Sequence, residues 1–333
     1  MKSFFQKCSV RRAKKINFRR VERRGARAVA AMAQPFLLEN GHLSVPLHIL
    51  QMPGGRLPVP NRTKEILVEI GTNSFDTWDT QVLPRRPGAF LVSFEPLVDK
   101  WALMLSRNAR SRVFSPLGWH NPRGVILPFA VSDRAGIVPF HVSPRDGCSS
   151  LRRPQTPKRG GWKSNGFVRN ACAKTVETRM VPAITLRTVL EEWLRGWRVS
   201  RLKIDAQGSD LSVLAAAGAS VLRGVDAVSM ETLHDDCDGI YEGQPNCTTI
   251  VLGMAALGFQ PTGGFRCELK RHFTQGSGCE ANVDFRNANA PAATAPELIS
   301  MAGGGNGGGG GRGGRGFKRR GRGRRLHAAA HFQ

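Results

Sequence analysis

The stretch "LKIDAQGSD", residues 202–210, places two carboxylates, Asp205 and Asp210, around Gly208 directly after an apolar run. A strand whose carboxyl end delivers an acid into a turn that opens a helix is how open α/β sheets build ligand sites. The same residues also read as a plain strand–turn–helix junction in which Asp or Ser caps the helix.

Two further acids close apolar runs upstream. Glu69 stands in "VEIGTNSFD", two residues before Gly71, and Glu95 in "SFEP". The glycine lets backbone approach a ligand, and the acid can accept hydrogen bonds from it. After Gly71 come Thr72, Asn73, Ser74 and Phe75, not a triple-glycine fingerprint. Open backbone amides for a pyrophosphate are therefore missing. Glu95, at the second strand tip, is placed to accept from both hydroxyls of a ribose. A ligand with a ribose and no phosphate points to S-adenosylmethionine, whose sulfonium suits nearby carboxylates.

The elements that must position these acids alternate along the chain. Buried-strand patterns occur at 65–71, 89–96, 124–133, 199–208 and 225–232, and helical patterns at 98–109, 186–197, 209–222 and 248–259. That order predicts an α/β fold: a Rossmann-like, doubly wound, mostly parallel sheet with helices on both faces. Residues 141–176, rich in Pro, Gly, Ser, Arg and Lys, read as an insertion or lid loop.

The chain of 333 residues carries a formal charge of +24, and most of that charge sits at its ends. Residues 1–34 hold eleven Lys/Arg against Glu22 alone, residues 301–333 hold eight and no acid, and +6 remains between them. The domains expected are a basic arm or transit peptide at 1–35, a catalytic domain at 60–288 and a disordered Gly/Arg-rich tail at 300–333. The first segment suits a basic amphipathic helix addressed to a mitochondrion or plastid, the alternative being a basic arm on a cytoplasmic protein. The composition of 303–325 is that of segments that bind RNA nonspecifically, Arg neutralising phosphate and stacking on bases; a solvated tail is the competing reading. No run is long enough to span a membrane. Seven cysteines contain no CxxC, which argues against structural zinc. They read as reduced thiols, with Cys237–Cys247 or Cys267–Cys279 as bridges in an oxidising lumen.

The segments "VEIGTNSFD", "VSFEPLVDK", "FAVSDRAGIVPFHVS", "SSL", "ITLRTVL", "LKIDAQGSDLSVLAAAG" and "VSMET" follow one another as in FkbM-type methyltransferases, and the resemblance covers roughly residues 64–286. It implies a class I S-adenosylmethionine-dependent enzyme that O-methylates a hydroxyl of a sugar, glycan or other small metabolite. The alternative reading is an RNA-binding or RNA-methylating protein that uses the Arg/Gly-rich tail, the sheet serving as a scaffold in the RNA-binding case. Carried over residue by residue, the resemblance assigns Glu69, Gly71, Thr72 and Asn73 to the first cofactor motif. Glu95 and Pro96 fall on the ribose side, and Ser132 and Asp133 near the adenine. Lys203, Asp205, Gly208 and Asp210 match the family's KxDxEGxE. Gln207 departs from it, standing where the family has Glu, and Phe75 replaces a usual glycine. The core also lacks the (N/D)PP(Y/F) signature of many amino-methylating enzymes.

Asp205 is the first candidate for catalytic base, because a hydroxyl gains nucleophilicity if its proton is taken during transfer. Lys203 could polarise the acceptor or pair with a neighbouring acid. His234, in "METLHDDCD", is a second base candidate. Asp235, Asp236 and Asp238 read as an exposed acidic turn, with a divalent-cation site as the alternative; no resident metal is expected. Glu231 should face the acceptor, and Ser149 and Ser150 the loop above it.

Overall fold

The computed structural model describes residues 36–37, 43–44, 50–73, 78–110, 123–155, 172–263, 265–268 and 279–291. Both basic ends, and Phe75, lie outside these residues.

A sheet of seven strands forms the centre. In chain order its members are β1 (Glu65–Ile70), β2 (Ala89–Phe94), β3 (Gly124–Leu127), β7 (Val199–Ile204), β8 (Ala227–Leu233), β9 (Phe259–Pro261) and β10 (Glu280–Asn287). Three strands that follow β3, namely β4 (Ala130–Ser132), β5 (Gly136–Val142) and β6 (Glu177–Thr185), build a separate small sheet in the order β4-β6-β5. The large sheet runs β9-β10-β8-β7-β1-β2-β3. Its pairs from β3 across to β8 are parallel, whereas β10 is antiparallel to both β8 and β9. The mostly parallel, doubly wound α/β architecture is therefore observed. The order of connection reverses between β1 and β7, and such a reversal opens a crevice at the strands' carboxyl ends.

Alternation along each strand shows why both faces are covered. In β1, Ile66, Val68 and Ile70 join the larger core cluster, together with Val213 and Leu214 of helix Asp210–Ala217 and Met254 of helix Cys247–Ala256. Leu67 points the other way, onto Trp78, Leu83 and Trp101. The same two-residue period divides β2, with Phe90, Val92 and Phe94 on one side and Leu91 on the other. A strand buried on both faces reads as a continuous apolar run, which is what 65–70 and 89–94 show. Helix Val98–Arg110 turns Trp101 and Met104 inward, and the Trp101 indole N–H donates to the Ile126 carbonyl at 3.0 Å.

Three expectations are corrected. The stretch 124–133, read as one strand, is two: β3 ends at Leu127, and β4 begins at Ala130 in the other sheet. Pro128 has no N–H to continue a ladder, and the chain turns there. The stretch 209–222 is two helices, Asp210–Ala217 and Ala219–Leu222, because Gly218 adopts φ +82°. The cysteines are also paired, as Cys148–Cys172, Cys237–Cys279 and Cys247–Cys267, and the bridges considered from sequence were the wrong ones. Antiparallel pairing sets Leu233 opposite Glu280, so Cys279 arrives beside the loop that carries Cys237. The Asp235 N–H donates to the Cys267 carbonyl at 3.0 Å, drawing Cys267 to the same corner.

Candidate active site

The carboxyl ends of β1, β2 and β7 meet at one place. Gly71 follows β1 with φ +76°, and a Cβ there would stand 1.9 Å from the Asp205 carbonyl oxygen. Only glycine allows this approach of two strand tips. The Asp205 N–H continues the contact by donating to the Ile70 carbonyl at 3.0 Å.

A cavity of about 600 Å³ opens above this junction, lined among others by Gly71, Asn73, Glu95, Pro96 and Asp205. Glu95 is buried, and each of its oxygens is held by one backbone N–H. Asn73 donates to Oε2 at 2.8 Å and Leu97 to Oε1 at 3.0 Å. Asn73 lies in the left-handed region (φ 48°), which aims its N–H at Glu95, and its Oδ1 accepts from Lys100 Nζ at 2.9 Å. Burial raises the Glu95 pKa, against the opposing pull of the Leu97 N–H and Lys100. Phe129, Val131, Phe140 and Leu151 give the same cavity an apolar side.

On the other wall, Gln207 Nε2 donates to Asp205 Oδ1 at 2.6 Å and reaches Glu231 Oε2 at 3.5 Å. The Tyr241 hydroxyl donates to Gln207 Oε1 at 2.7 Å and is also 3.0 Å from the Cys148 carbonyl. Gln207 has φ 49° and Gly208 φ 88°, and a Cβ on Gly208 would press to 2.9 Å from the Tyr241 ring. Asp210 clamps this turn, accepting from the Ala206 N–H at 2.8 Å and the Gly208 N–H at 3.1 Å. Burial raises the Asp205 pKa, against Lys203 and the Gln207 amide. Burial together with Asp205, Glu280 and Asp210 lifts Glu231 well above the carboxylate range.

Other residues expected at the site stand off the cavity wall. Glu69 is wholly buried under the sheet tip, where its oxygens accept from the Trp78 N–H at 3.1 Å and from Ser93 Oγ at 3.3 Å. Lys203 Nζ is 3.5 Å from Glu69 Oε1, so the lysine pairs with an acid inside the protein. Burial pushes Glu69 up to about 7, with Lys203 pulling the other way. Burial also depresses Lys203, but Glu69, Asp205 and Glu231 together outweigh that and raise it. Thr72 is buried with its hydroxyl donating to the Phe94 carbonyl at 3.0 Å. The Ser132 hydroxyl donates to Asp133 Oδ1 at 3.0 Å, and neither residue lines the cavity; Phe129, Ala130 and Val131 line it instead.

His234 Nδ1 sits 3.1 Å from the Cys267 carbonyl, and its ring stacks on Phe265, off the cavity wall. In the acidic turn that follows, Asp235 supports the start of helix Cys247–Ala256, whose N-cap is Asn246. Asp235 accepts from the Thr248 N–H at 2.9 Å and from the Thr248 hydroxyl. Among the described residues, the close set of three possible metal ligands is Asp235, Cys247 and Cys267, and two of these are joined as a disulfide. Lys100, Phe129, Phe140 and Leu151 were not picked out from sequence. They come from separate elements, and nothing in their local pattern joins them. Ser149 does line the cavity, and Ser150 Oγ donates to the Gln207 carbonyl at 2.8 Å.

The family description "Methyltransferase FkbM domain" matches residues 69–260, more than half of the chain and including the tips of β1, β2 and β7. The chain belongs to the FkbM methyltransferase domain family. It is a methyltransferase on a Rossmann-like sheet, with this cavity at the switch point. No curated protein matches the chain. Among solved structures, it is similar to a variant of the 16S rRNA (adenine(1408)-N(1))-methyltransferase from Catenulisporales acidiphilia. The two are 12% identical with a TM-score of 0.32, the match covering 68% of this chain and 89% of that one. Within this FkbM-type domain, no helix among the described residues is long and apolar enough to cross a membrane.

Proposed function

We propose that the protein is an S-adenosylmethionine-dependent O-methyltransferase acting on a hydroxyl of a sugar or another small metabolite. The observation that carries this reading is Glu95. Its two oxygens are fixed by backbone N–H groups at the wall of the cavity above the strand tips. Each keeps lone pairs for one of two adjacent ribose hydroxyls. Phe129, Val131, Phe140 and Leu151 suit a flat purine. The loop after β1 has no glycine-rich phosphate cradle, and the cavity carries Asp205 and Glu95 against Lys100, so a phosphate-free, sulfonium-bearing nucleoside fits the donor set.

The bound cofactor supplies an electrophilic methyl group. The chain's own residues supply alignment and a proton acceptor. Gln207 holds one oxygen of Asp205, leaving the other to take the proton of an attacking hydroxyl. A raised pKa brings that carboxylate nearer to the working pH of a general base. Asp210, Glu231 and Glu280 line the far side of Gln207 with no Lys or Arg among them, a setting that gives nucleic-acid phosphates no partner and favours a small acceptor over RNA.

The test is isothermal titration with S-adenosylmethionine and, separately, NAD, followed by mass spectrometry of hydroxyl compounds incubated with protein and labelled cofactor. Binding of S-adenosylmethionine alone and a gain of one methyl group are expected. Preference for NAD refutes the cofactor assignment.

We also propose that the chain matures in an oxidising compartment rather than in the reducing cytoplasm. The support is three bridges that use six of its seven cysteines. Maleimide labelling of the native protein, unreduced, should mark Cys8 alone; seven reactive thiols would reverse the proposal.

A further inference from the structure

The Gln207 amide is held at both ends. Its Nε2 donates to Asp205 Oδ1 at 2.6 Å, and its Oε1 accepts from the Tyr241 hydroxyl at 2.7 Å. A glutamine side chain is long and rotatable, so the amide needs an anchor to stay on Asp205. Tyr241 is that anchor, and it is itself held in place. It is buried, and its ring packs over Gly208, where a Cβ would come within 2.9 Å. Its backbone pairs with Pro154, and its N–H donates to Gln244 Oε1 at 3.2 Å. On either side, the Gln155 N–H donates to the Ile240 carbonyl at 2.8 Å and the Glu242 N–H to the Arg153 carbonyl at 2.9 Å.

We propose that Tyr241 is a positioning residue for methyl transfer: its hydroxyl pins the Gln207 amide so that Nε2 stays on Asp205 and keeps that carboxylate the charged proton acceptor. The inference rests on the reading of Asp205 as the base. In the transfer, the acceptor oxygen gains the methyl group and gives its proton to the free Asp205 oxygen, while the electron pair of the broken methyl–sulfur bond stays on sulfur. Donor and acceptor chemistry fixes the direction of the chain. An ionised Asp205 only accepts, so the amide turns its NH2 to the acid and its oxygen to the tyrosine. The tyrosine hydroxyl has a single proton, and Gln207 Oε1 at 2.7 Å is a closer acceptor than the Cys148 carbonyl at 3.0 Å. Burial, reinforced by the surrounding acids, lifts the Tyr241 pKa well above its ordinary value, so the hydroxyl stays a donor.

A hydrogen bond given to the charged form of an acid favours that form. At Asp205 this bond and Lys203 oppose the effect of burial. Without the tyrosine hydroxyl, Gln207 Oε1 becomes a buried acceptor lacking its donor, and the side chain must swing away to find another. The bond to Asp205 weakens with it. An ionised glutamate at 207 has no proton to give Asp205, whereas a glutamine does, provided its other end is satisfied.

The experiment reads Asp205 directly, by NMR of the full-length protein carrying carbon-13 at its aspartate side-chain carboxyls, with Asp205→Asn identifying the resonance. Titrations compare wild type, Tyr241→Phe, Gln207→Met and the double variant. Tyr241→Phe keeps the ring and its packing on Gly208. The other charges that act on Asp205 are Lys203 on its own strand, Asp210 at the helix start, Glu231 on β8 and Glu280 on β10, and none of these is altered. The Asp205 midpoint should rise by about one pH unit in Tyr241→Phe, by at least as much in Gln207→Met, and no further in the double variant. An unchanged midpoint in folded Tyr241→Phe overturns the proposal even if Tm falls, because a packing role lowers Tm without moving that titration. Shifts that add in the double variant overturn it too, since Tyr241 would then act on Asp205 by a route other than Gln207. Calorimetry with S-adenosylmethionine on the same samples keeps the cofactor assignment separate: absence of binding counts against that assignment, while the Asp205 titration still decides the role of Tyr241.

Discussion

Replacing Glu95 by alanine separates cofactor recognition from folding. The carboxylate is ionisable, buried, and held at both oxygens by the N–H groups of Asn73 and Leu97. Those two bonds orient it without exhausting it, so two ribose hydroxyls can still donate to it. Hydrogen bonds to a charged group contribute about 1.5–3 kcal/mol net. At about 1.4 kcal/mol for each factor of ten, Glu95→Ala should raise the Kd for S-adenosylmethionine roughly 10- to 150-fold. The truncation opens the cavity, so water can reach the freed N–H groups and the thermal transition should remain cooperative. Glu95→Gln is the informative companion. It keeps the shape, but its NH2 must face one of two fixed N–H donors, so its affinity should fall between wild type and alanine. Titration calorimetry reads the Kd, and circular dichroism confirms the fold. An unchanged Kd in a folded Glu95→Ala protein refutes the ribose assignment and the reasoning behind it.

Asp205→Asn keeps shape and removes the charge, so turnover of a hydroxyl acceptor should fall about 100-fold or more while cofactor Kd changes little; full activity would reduce Asp205 to an aligning group. Glu69, with a folded pKa of about 7 against an ordinary 4.5, favours folding most below pH 4.5, and that contribution is lost as pH rises to 7. Urea titrations should show the loss, up to ~3 kcal/mol, and Glu69→Gln should flatten it; identical pH profiles would mean the Lys203 pairing keeps Glu69 ionised throughout. Gly71→Ala meets both a positive φ and a 1.9 Å contact with the Asp205 carbonyl, so it should lower Tm sharply and impair cofactor binding, whereas a wild-type Tm would contradict the strand-tip junction. Deleting residues 1–34 and 301–333 together should abolish any salt-sensitive RNA retention on filters without altering cofactor affinity, because counterion release needs those runs of Arg and Lys.

Local pattern was enough to reveal the sheet. Runs such as "EILVEI" and "AFLVSF" are apolar at every step because both faces of a central parallel strand are covered, and that leaves a mark in one dimension. The acids at the strand tips were legible for the same reason, since a charged residue closing such a run stands out. Which way each acid turns was not legible. Glu69 and Glu95 end neighbouring strands in similar contexts, yet one turns under the sheet to Trp78 and Lys203 while the other lines the cavity. Side chains alternate across a strand, so a displacement of one residue in register exchanges inside for outside.

Pairing across long sequence distances was equally hidden. Cys279 met Cys237 because β10 runs antiparallel beside β8, a direction that no spacing of cysteines encodes. Tyr241 reached Gln207 only once its own loop had folded back over the turn after β7. The amino-acid sequence determined which segments are strands, where acids close them, and to which family of folds they belong, because burial and turn chemistry act on neighbouring residues. Tertiary structure alone decided which acids line the cavity, which cysteines join and how Gln207 ties Asp205 to Tyr241, because those outcomes depend on register and strand direction between segments distant in sequence.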